Sequence, residues 1–382
     1  MHTTNEIVSV SSYGGGLTGG KLRVAILGAT GMVGQQLVTL LTDHPWFEVV
    51  TVAASSSSAG KSYQEAVSGR WTQDSDIPIP IAALYVKDVQ AIDEIAAVAD
   101  AVFCAVNLDK EGVLKLEHAY ADRGLWVTSN NSAYRPDPFV PMVIPAVNAD
   151  HLDVVPFQRQ ARGYDTGAIM VKSNCSIQSY VIALEPLRGF GIELIRVHSE
   201  QAISGAGKTF DSFPEIHRNL IPLINGEERK SEVEPLKIWG RVGPDGIEPA
   251  QGPRIKAKCV RVAVLHGHTA YVTVKFKSVP TEAEILNRWE AYGPTERLPS
   301  MPGRLIHYLS EPDRPQPRLD VMTEGGMAVS VGQLSVDDNY VSFTGLSHNL
   351  ILGAAGGAVL ATEAAIARGL MFRRVKGLRI DD

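Results

Sequence analysis

The sequence predicts a two-domain α/β chain: a doubly wound parallel sheet followed by an α+β region with a mostly antiparallel sheet. Three observations carry this. Short apolar runs alternate with helical periodicity through the first third of the chain, glycines cluster where the first run gives way to the first helix, and beyond Ile192 the runs lengthen with β-branched alternation.

Leu22–Leu27 (LRVAIL) reads as a buried strand, and Val33, Leu37, Leu40 and Leu41 share one face of a helix over residues 32–41. A second strand follows at Phe47–Ala54, then a helical stretch over 89–98, a buried run over 101–106 and a strand at Trp126–Ser129. Repetition of strand and helix specifies a parallel sheet. The proline-rich stretch 135–145 discourages a helix and places a boundary just beyond it. The expected domains are 21–149 together with 349–370, and 150–348. Residues 1–20, rich in Ser, Thr and Gly, are expected to be a flexible extension. In the second domain 270–276 alternates as a strand and 282–289 as a helix. The Ala- and Gly-rich tail 349–370 has the spacing of a buried helix, with close packing at Gly353, Gly356 and Gly357.

Composition narrows the function. The chain has 382 residues, with 36 Lys and Arg against 42 Asp and Glu, a net charge of −6 that argues against a nucleic-acid-binding surface. With 45% apolar and 20% charged residues it can bury a large core. The longest uncharged apolar runs, 262–274 and 350–362, fall short of the ~18 residues of a membrane span, so a soluble protein with no membrane partner is expected. Cys104, Cys175 and Cys259 are scattered and form no C-x-x-C pair. Neither a disulfide framework nor a metal site is indicated, and a cytoplasmic location is the simplest expectation.

Gly28, Gly31 and Gly34, with Thr30, Met32 and Val33 between them, lie at the strand-to-helix turn of GATGMVG. A dinucleotide pyrophosphate can meet small residues and free helix N–H groups there, which makes the first domain Rossmann-like. The spacing alone also fits a tight turn with close helix packing. An NAD site usually has Asp or Glu at the end of the second strand, whereas this strand ends Ala53, Ala54, Ser55, Ser56. The serine loop with Lys61 can instead receive a 2′-phosphate, so NADP is the expected cofactor, although a solvated loop gives the same pattern. Cys175 lies in SNCS before a helical pattern over 177–187, where N–H groups and the helix dipole favour a thiolate. Taken alone, Cys175 fits a buried structural cysteine equally well; as a nucleophile it has the Asn174 to Ser176 backbone as oxyanion stabiliser. Cys104 and Cys259 lie in apolar strands and read as buried hydrophobes.

GATGMVG, SNCS, EQAISGAG, GEERK, VRVAVLHGHT, DRPQPRLD and HNLILGAAGG occur in the order found in aspartate-semialdehyde dehydrogenases, and the chain resembles the archaeal and fungal branch of that family from about Lys21 to the C-terminal helix. The resemblance implies NADPH-dependent reductive dephosphorylation of 4-phospho-L-aspartate to L-aspartate 4-semialdehyde, a step toward Lys, Thr, Met and Ile. It implies Cys175 as nucleophile, His268 as acid/base, Gln201 orienting the acyl group, and Arg261 on the substrate α-carboxylate. It further implies Glu227 on the α-ammonium, Lys230 and Arg135 on the phosphate, Asn174 at the substrate, and Asn349 near the nicotinamide. His266 competes with His268, and no nearby Cys, Asp or Glu completes a metal site with the two. The family's members imply a homodimer or homotetramer.

Two departures stand out: Ser57 where many members of the branch have Arg in the serine loop, and Leu352 where Arg is common. The first weakens the expected preference for NADP. Malonyl-CoA reductase and N-acetyl-glutamyl-phosphate reductase share the acyl chemistry and remain alternatives, as does a catalytically inactive NADP-binding regulator. Glu227 leans toward a substrate with an amino group, and GEERK and DRPQPRLD fit the second rival poorly.

Overall fold

A computed structural model of the chain describes residues 5–13, 16–294 and 296–376. It divides into two units: Met1–Pro141 with Leu152–Val171 and Ala358–Asp382, and Met142–His151 with Lys172–Gly357. The division differs from the expected bounds at both seams. Residues 152–171 return to the first unit because Ala168–Val171 adds the last strand of its sheet, pairing with Trp126–Ser129. Residues 349–357 belong to the second unit.

The first unit is built on six strands, all parallel, in the order Lys87–Asp88, Phe47–Ala54, Leu22–Leu27, Ala101–Cys104, Trp126–Ser129, Ala168–Val171. Ala101–Cys104, Trp126–Ser129 and Ala168–Val171 are buried along their whole length, which is why they read as continuous apolar runs. The strand order reverses between Leu22–Leu27 and Ala101–Cys104, and in such sheets a ligand crevice opens at the carboxyl ends of that pair. The Met32–Leu41 helix starts directly above it.

The second unit holds a seven-stranded sheet ordered Leu220–Ile221, Arg254–Val262, Ile192–Gln201, His268–Phe276, Tyr340–Ser347, Val329–Val336, Ile306–Leu309, with four antiparallel and two parallel pairings. Its register places the site. Ile192–Gln201 and Arg254–Val262 run parallel with Gln201 opposite Arg261, so both strands end together. His268–Phe276 is antiparallel to Ile192–Gln201 and therefore begins where they end. Gln201, Arg261 and His268 thus meet at one end of the sheet's strands. The Gln178–Leu184 helix lies against the sheet so closely that a Cβ on Gly345 would strike the Ser179 carbonyl.

The tail forms a π turn at Ile351–Ala355 that continues as a helix over Gly356–Ala367. Its glycines are tightly packed: a Cβ on Gly356 would lie 2.6 Å from Met327 Sδ and one on Gly357 would strike Lys172.

Within the segment expected to be flexible over residues 1–20, Asn5–Ser9 pairs antiparallel with Phe372–Lys376, and the Arg373 guanidinium donates to the Gly19, Gly20 and Lys21 carbonyls, 2.6 Å to Gly20 O. A strand whose partner stands at the other end of the chain leaves little local signature. Residues 1–4, 14–15 and 377–382 lie outside the described residues.

Candidate active site

The Cys175 thiol lies 3.2 Å from His268 Nε2. The other ring nitrogen fixes what this contact is. Ala202 N–H, which can only donate, points at His268 Nδ1 at 3.0 Å, so Nδ1 is the acceptor and the ring proton resides on Nε2. Nε2–H then donates to Sγ, which favours the thiolate over the thiol. His268 has no exposed surface, and burial, with the Arg261 charge adding to it, pulls its pKa from 6.5 down to about 3. The imidazole is therefore neutral near pH 7.

Arg261 is buried at the same end of the strands and donates through Nη1 to Ala202 O at 2.7 Å, while its charge is felt at Cys175 and Glu227. Burial lowers its pKa, but a guanidinium stays cationic. Gln201 is buried, with Nε2 donating to Ser199 Oγ at 3.2 Å. Gly205 was not singled out from sequence, yet a Cβ there would lie 3.0 Å from His268 Cε1 and 3.1 Å from Arg261 Nη1. A side chain there would crowd both groups.

The helix Glu227–Ile238 supplies the acidic side of the site. Glu227 takes Asn174 Nδ2–H at 2.8 Å on one oxygen and Lys230 Nζ at 2.7 Å on the other, and Glu234 takes the Asn174 backbone N–H at 2.6 Å. The Glu227–Lys230 ion pair and the tie to the residue before Cys175 therefore exist together. Asn174 Oδ1 in turn accepts from Ser176 N at 2.8 Å and Ser176 Oγ at 2.7 Å.

These bonds narrow one expectation. The Asn174 and Ser176 N–H groups are bound by Glu234 and Asn174, so neither of these two is offered to an oxyanion. The helix after Cys175 has its N-cap at Ile177, spans Gln178–Leu184 and gives way to a 3-10 segment at Glu185–Phe190, close to the expected 177–187. The His268 ring nitrogen and the Arg261 charge stand beside the thiol as well. Cys104 and Cys259 are not rivals, because burial raises both thiol pKa values.

His266 turns away from His268. Its Nδ1 lies 3.0 Å from Ser204 Oγ and its ring stacks on His348 at 5.2 Å. Asn349 is buried, with Nδ2 donating to Ser204 at 2.8 Å and Oδ1 accepting from Gly267 N at 2.9 Å, so it holds the turn that presents His268. Leu352 is buried.

Gly353 backs the nucleophile: a Cβ there would lie 2.8 Å from Cys175 Cβ. Gly353→Ala is expected to lower kcat about 10–100-fold while leaving the melting temperature within a few degrees, since small displacements of a nucleophile cost far more in rate than in stability. Steady-state kinetics beside a thermal melt check this.

Stability should also fall in acid. Burial lowers His268 and His348 to about 3 each, so the unfolded chain binds protons that the folded chain refuses between that value and 6.5. Their contribution is fully present above pH 6.5 and declines below it, by about 2 kcal/mol per histidine at pH 5. His348→Asn should flatten the fall in melting temperature between pH 7 and pH 5, and an unchanged slope would contradict these pKa values.

In the first unit Gly28, Thr30, Gly31, Ser55 and Ser56 line one cavity of about 480 Å³, together with Ala54, Asp88, Val89, Gln90 and residues 105–108. Gly28 has φ +81°, and a Cβ would be driven into the Ala105 carbonyl, so the backbone itself forms the cavity floor. Gly34 packs its helix on Gly28 and Ala29. Among the described residues no side chain caps the helix that begins at Met32 and Val33, and no acid sits in its first turn, which suits a phosphate group. The chain therefore fits a dinucleotide. Lys61 Nζ bonds Ser57 O at 3.0 Å, and Arg70, absent from the sequence reading, bonds Ser58 Oγ at 3.2 Å. Asn130, also missed, ends the Trp126–Ser129 strand with both side-chain polar atoms buried and unbonded among the described residues; Arg135 Nη2 bonds its carbonyl at 3.3 Å.

Residues 23–155 match the family model for the semialdehyde dehydrogenase NAD-binding domain, and 184–352 match that for the semialdehyde dehydrogenase dimerisation domain. The aspartate-semialdehyde dehydrogenase of Schizosaccharomyces pombe is 42% identical over 362 residues, 91% of this chain and 99% of its own. This chain belongs to the aspartate-semialdehyde dehydrogenase family. The enzyme of Archaeoglobus fulgidus is 40% identical over 346 residues, 90% of this chain and 97% of its own. A crystal structure of aspartate-semialdehyde dehydrogenase with NADP from Candida albicans superposes with a TM-score of 0.81 at 35% identity, over 92% of this chain and 100% of that one. Archaeal and fungal members thus flank the chain, as the motifs implied.

Proposed function

We propose that this chain reduces 4-phospho-L-aspartate to L-aspartate 4-semialdehyde with NADPH, through a thioester on Cys175. The observation that carries the reading is the Cys175–His268 pair with its tautomer set by Ala202 N–H. Held as thiolate, Sγ attacks the acyl carbon, the C–S bond forms and the C–O bond to phosphate breaks. NADPH, when bound, supplies the hydride that reduces the acyl carbon. The C–S bond then breaks, the aldehyde leaves and the thiolate returns to the His268 donor.

His268 guards the proton. With Nδ1 occupied and Arg261 unpaired by substrate, it is a hydrogen-bond donor and not a base. Glu227 takes the α-ammonium, and Lys230 and Arg135 take the phosphate. Ser55, Ser56 and Lys61 receive the 2′-phosphate, with Met32 and Val33 N–H groups at the pyrophosphate and Asn349 toward the nicotinamide. The protein works as a cytoplasmic homodimer or homotetramer serving synthesis of Lys, Thr, Met and Ile.

The test is a substrate panel read by NADPH absorbance, with aspartate semialdehyde plus phosphate set against malonyl-CoA. Turnover of the first pair and none of the second is expected; the reverse would reassign the substrate. With the same assay NADP should exceed NAD in kcat/KM by a modest factor, about 10-fold, because Ser57 leaves the serine loop without an arginine. Equal values, or a preference for NAD, would show the serine loop to be misread.

A further inference from the structure

The cavity at the glycine turn carries a carboxylate that the second strand does not. Asp88 ends the short strand Lys87–Asp88, which pairs in parallel with the end of Phe47–Ala54, Asp88 opposite Ala54. Val89 N–H donates to Ala54 O at 3.0 Å and locks that register. One Asp88 oxygen accepts Gln90 N–H at 2.8 Å, which fixes the side chain and leaves the other as an acceptor. Asp88, Val89 and Gln90 all line the cavity.

The strand order says what part of a dinucleotide this carboxylate meets. The glycine turn, which suits the pyrophosphate, follows Leu22–Leu27; the serine loop, which suits the ribose, follows the next strand out; Asp88 ends the strand beyond that. Neighbouring strands are about 4.8 Å apart, so each step outward advances about one ligand segment. The segment beyond the ribose is the base. Val89, buried and next to Asp88, lines the same cavity, as do buried Val106 and Leu108, exposed by 43%, from the loop after Ala101–Cys104 on the other side of the glycine turn. A carboxylate acceptor in a cavity with apolar walls suits the exocyclic amino group of a flat base.

We infer that Asp88 reads the adenine 6-amino group and selects adenine dinucleotides by base. The inference rests on the dinucleotide reading above and adds the edge that is read. A carboxylate accepts from an amino donor and repels a carbonyl oxygen, so hypoxanthine, which has a carbonyl at that position, is disfavoured. Asp88→Asn would present an amide, which can turn over to meet either base.

The experiment is calorimetric binding of NADP and of nicotinamide hypoxanthine dinucleotide phosphate to the full chain, wild type and Asp88→Asn, with a thermal melt of each. Wild type should bind the adenine form about 10–100-fold more tightly, the worth of one charged hydrogen bond. Asp88→Asn, which keeps an acceptor for Gln90 N–H, should bring the two within about 3-fold, and Asp88→Ala should also lose the discrimination. A wild type that ignores the base, or an Asp88→Asn that keeps the full discrimination, overturns the inference. If Asp88→Asn instead changes the NADP to NAD ratio with base discrimination intact, the carboxylate faces the ribose and the inference again fails. Wild type that binds neither dinucleotide would overturn the cofactor reading itself.

Discussion

Cys175→Ser is expected to abolish turnover, with kcat down by at least about 10³-fold, while NADP binding and the melting temperature stay near wild type. A serine hydroxyl keeps the shape and can still meet His268 Nε2, but with the ring proton already on Nε2 and Nδ1 occupied by Ala202 N–H, the imidazole has no lone pair to take the hydroxyl proton. A thiol ionises readily enough to need only stabilisation of its anion; a hydroxyl needs a base, and none is offered. Cys104→Ser and Cys259→Ser, both at buried positions, should retain turnover if they fold, although Cys259 lies on the strand that carries Arg261. Turnover by Cys175→Ser near the wild-type rate would remove the covalent step from the account.

Arg261→Lys should lower kcat/KM with aspartate semialdehyde by about 10–100-fold without unfolding the protein. The charge survives, but the planar fork does not. In the site one nitrogen of that fork is spent on Ala202 O, which fixes the plane of the guanidinium, and on the proposed reading the others meet the carboxylate. An ammonium can make the first bond or the second, with no geometry that enforces both. Glu227→Gln sharpens the comparison: it should weaken a substrate with an α-ammonium and spare malonyl-CoA. An equal loss with both substrates would mean that Glu227 acts only through Asn174 and Lys230, the two partners it holds in the structure.

The elements of the first unit were legible because burial on both faces leaves an unmistakable apolar run: Leu22–Leu27, Phe47–Ala54 and Trp126–Ser129 fall where the pattern puts them. The Met32–Leu41 helix does too. What sequence could not give is whatever depends on a distant partner. Asn5–Ser9 needs Phe372–Lys376, and residues 152–171 need the edge of a sheet laid down earlier in the chain. The same limit governs the site. Cys175 and His268 were named from motifs, but that Ala202 N–H sets the histidine tautomer follows only from the register of two strands. Asn174 looked like part of an oxyanion site because its neighbours in sequence suggested a helix start; Glu227 and Glu234, more than fifty positions away, commit it elsewhere. Asp88 escaped notice because the rule for a ribose acid looks along the second strand, and this acid stands on the strand paired with it.

The central claim is an acyl-enzyme on Cys175, and the most direct measurement mixes enzyme with aspartate semialdehyde and NADP in the absence of phosphate. Without an acceptor for the acyl group, a rapid burst of about one NADPH per subunit should appear and then stall, and intact-mass analysis should find one aspartyl group added, mapped by peptide digestion to Cys175. Adding phosphate should release the adduct and restart turnover. A burst with no adduct, an adduct on another residue, or no burst from an enzyme that turns over normally with phosphate present would contradict the mechanism.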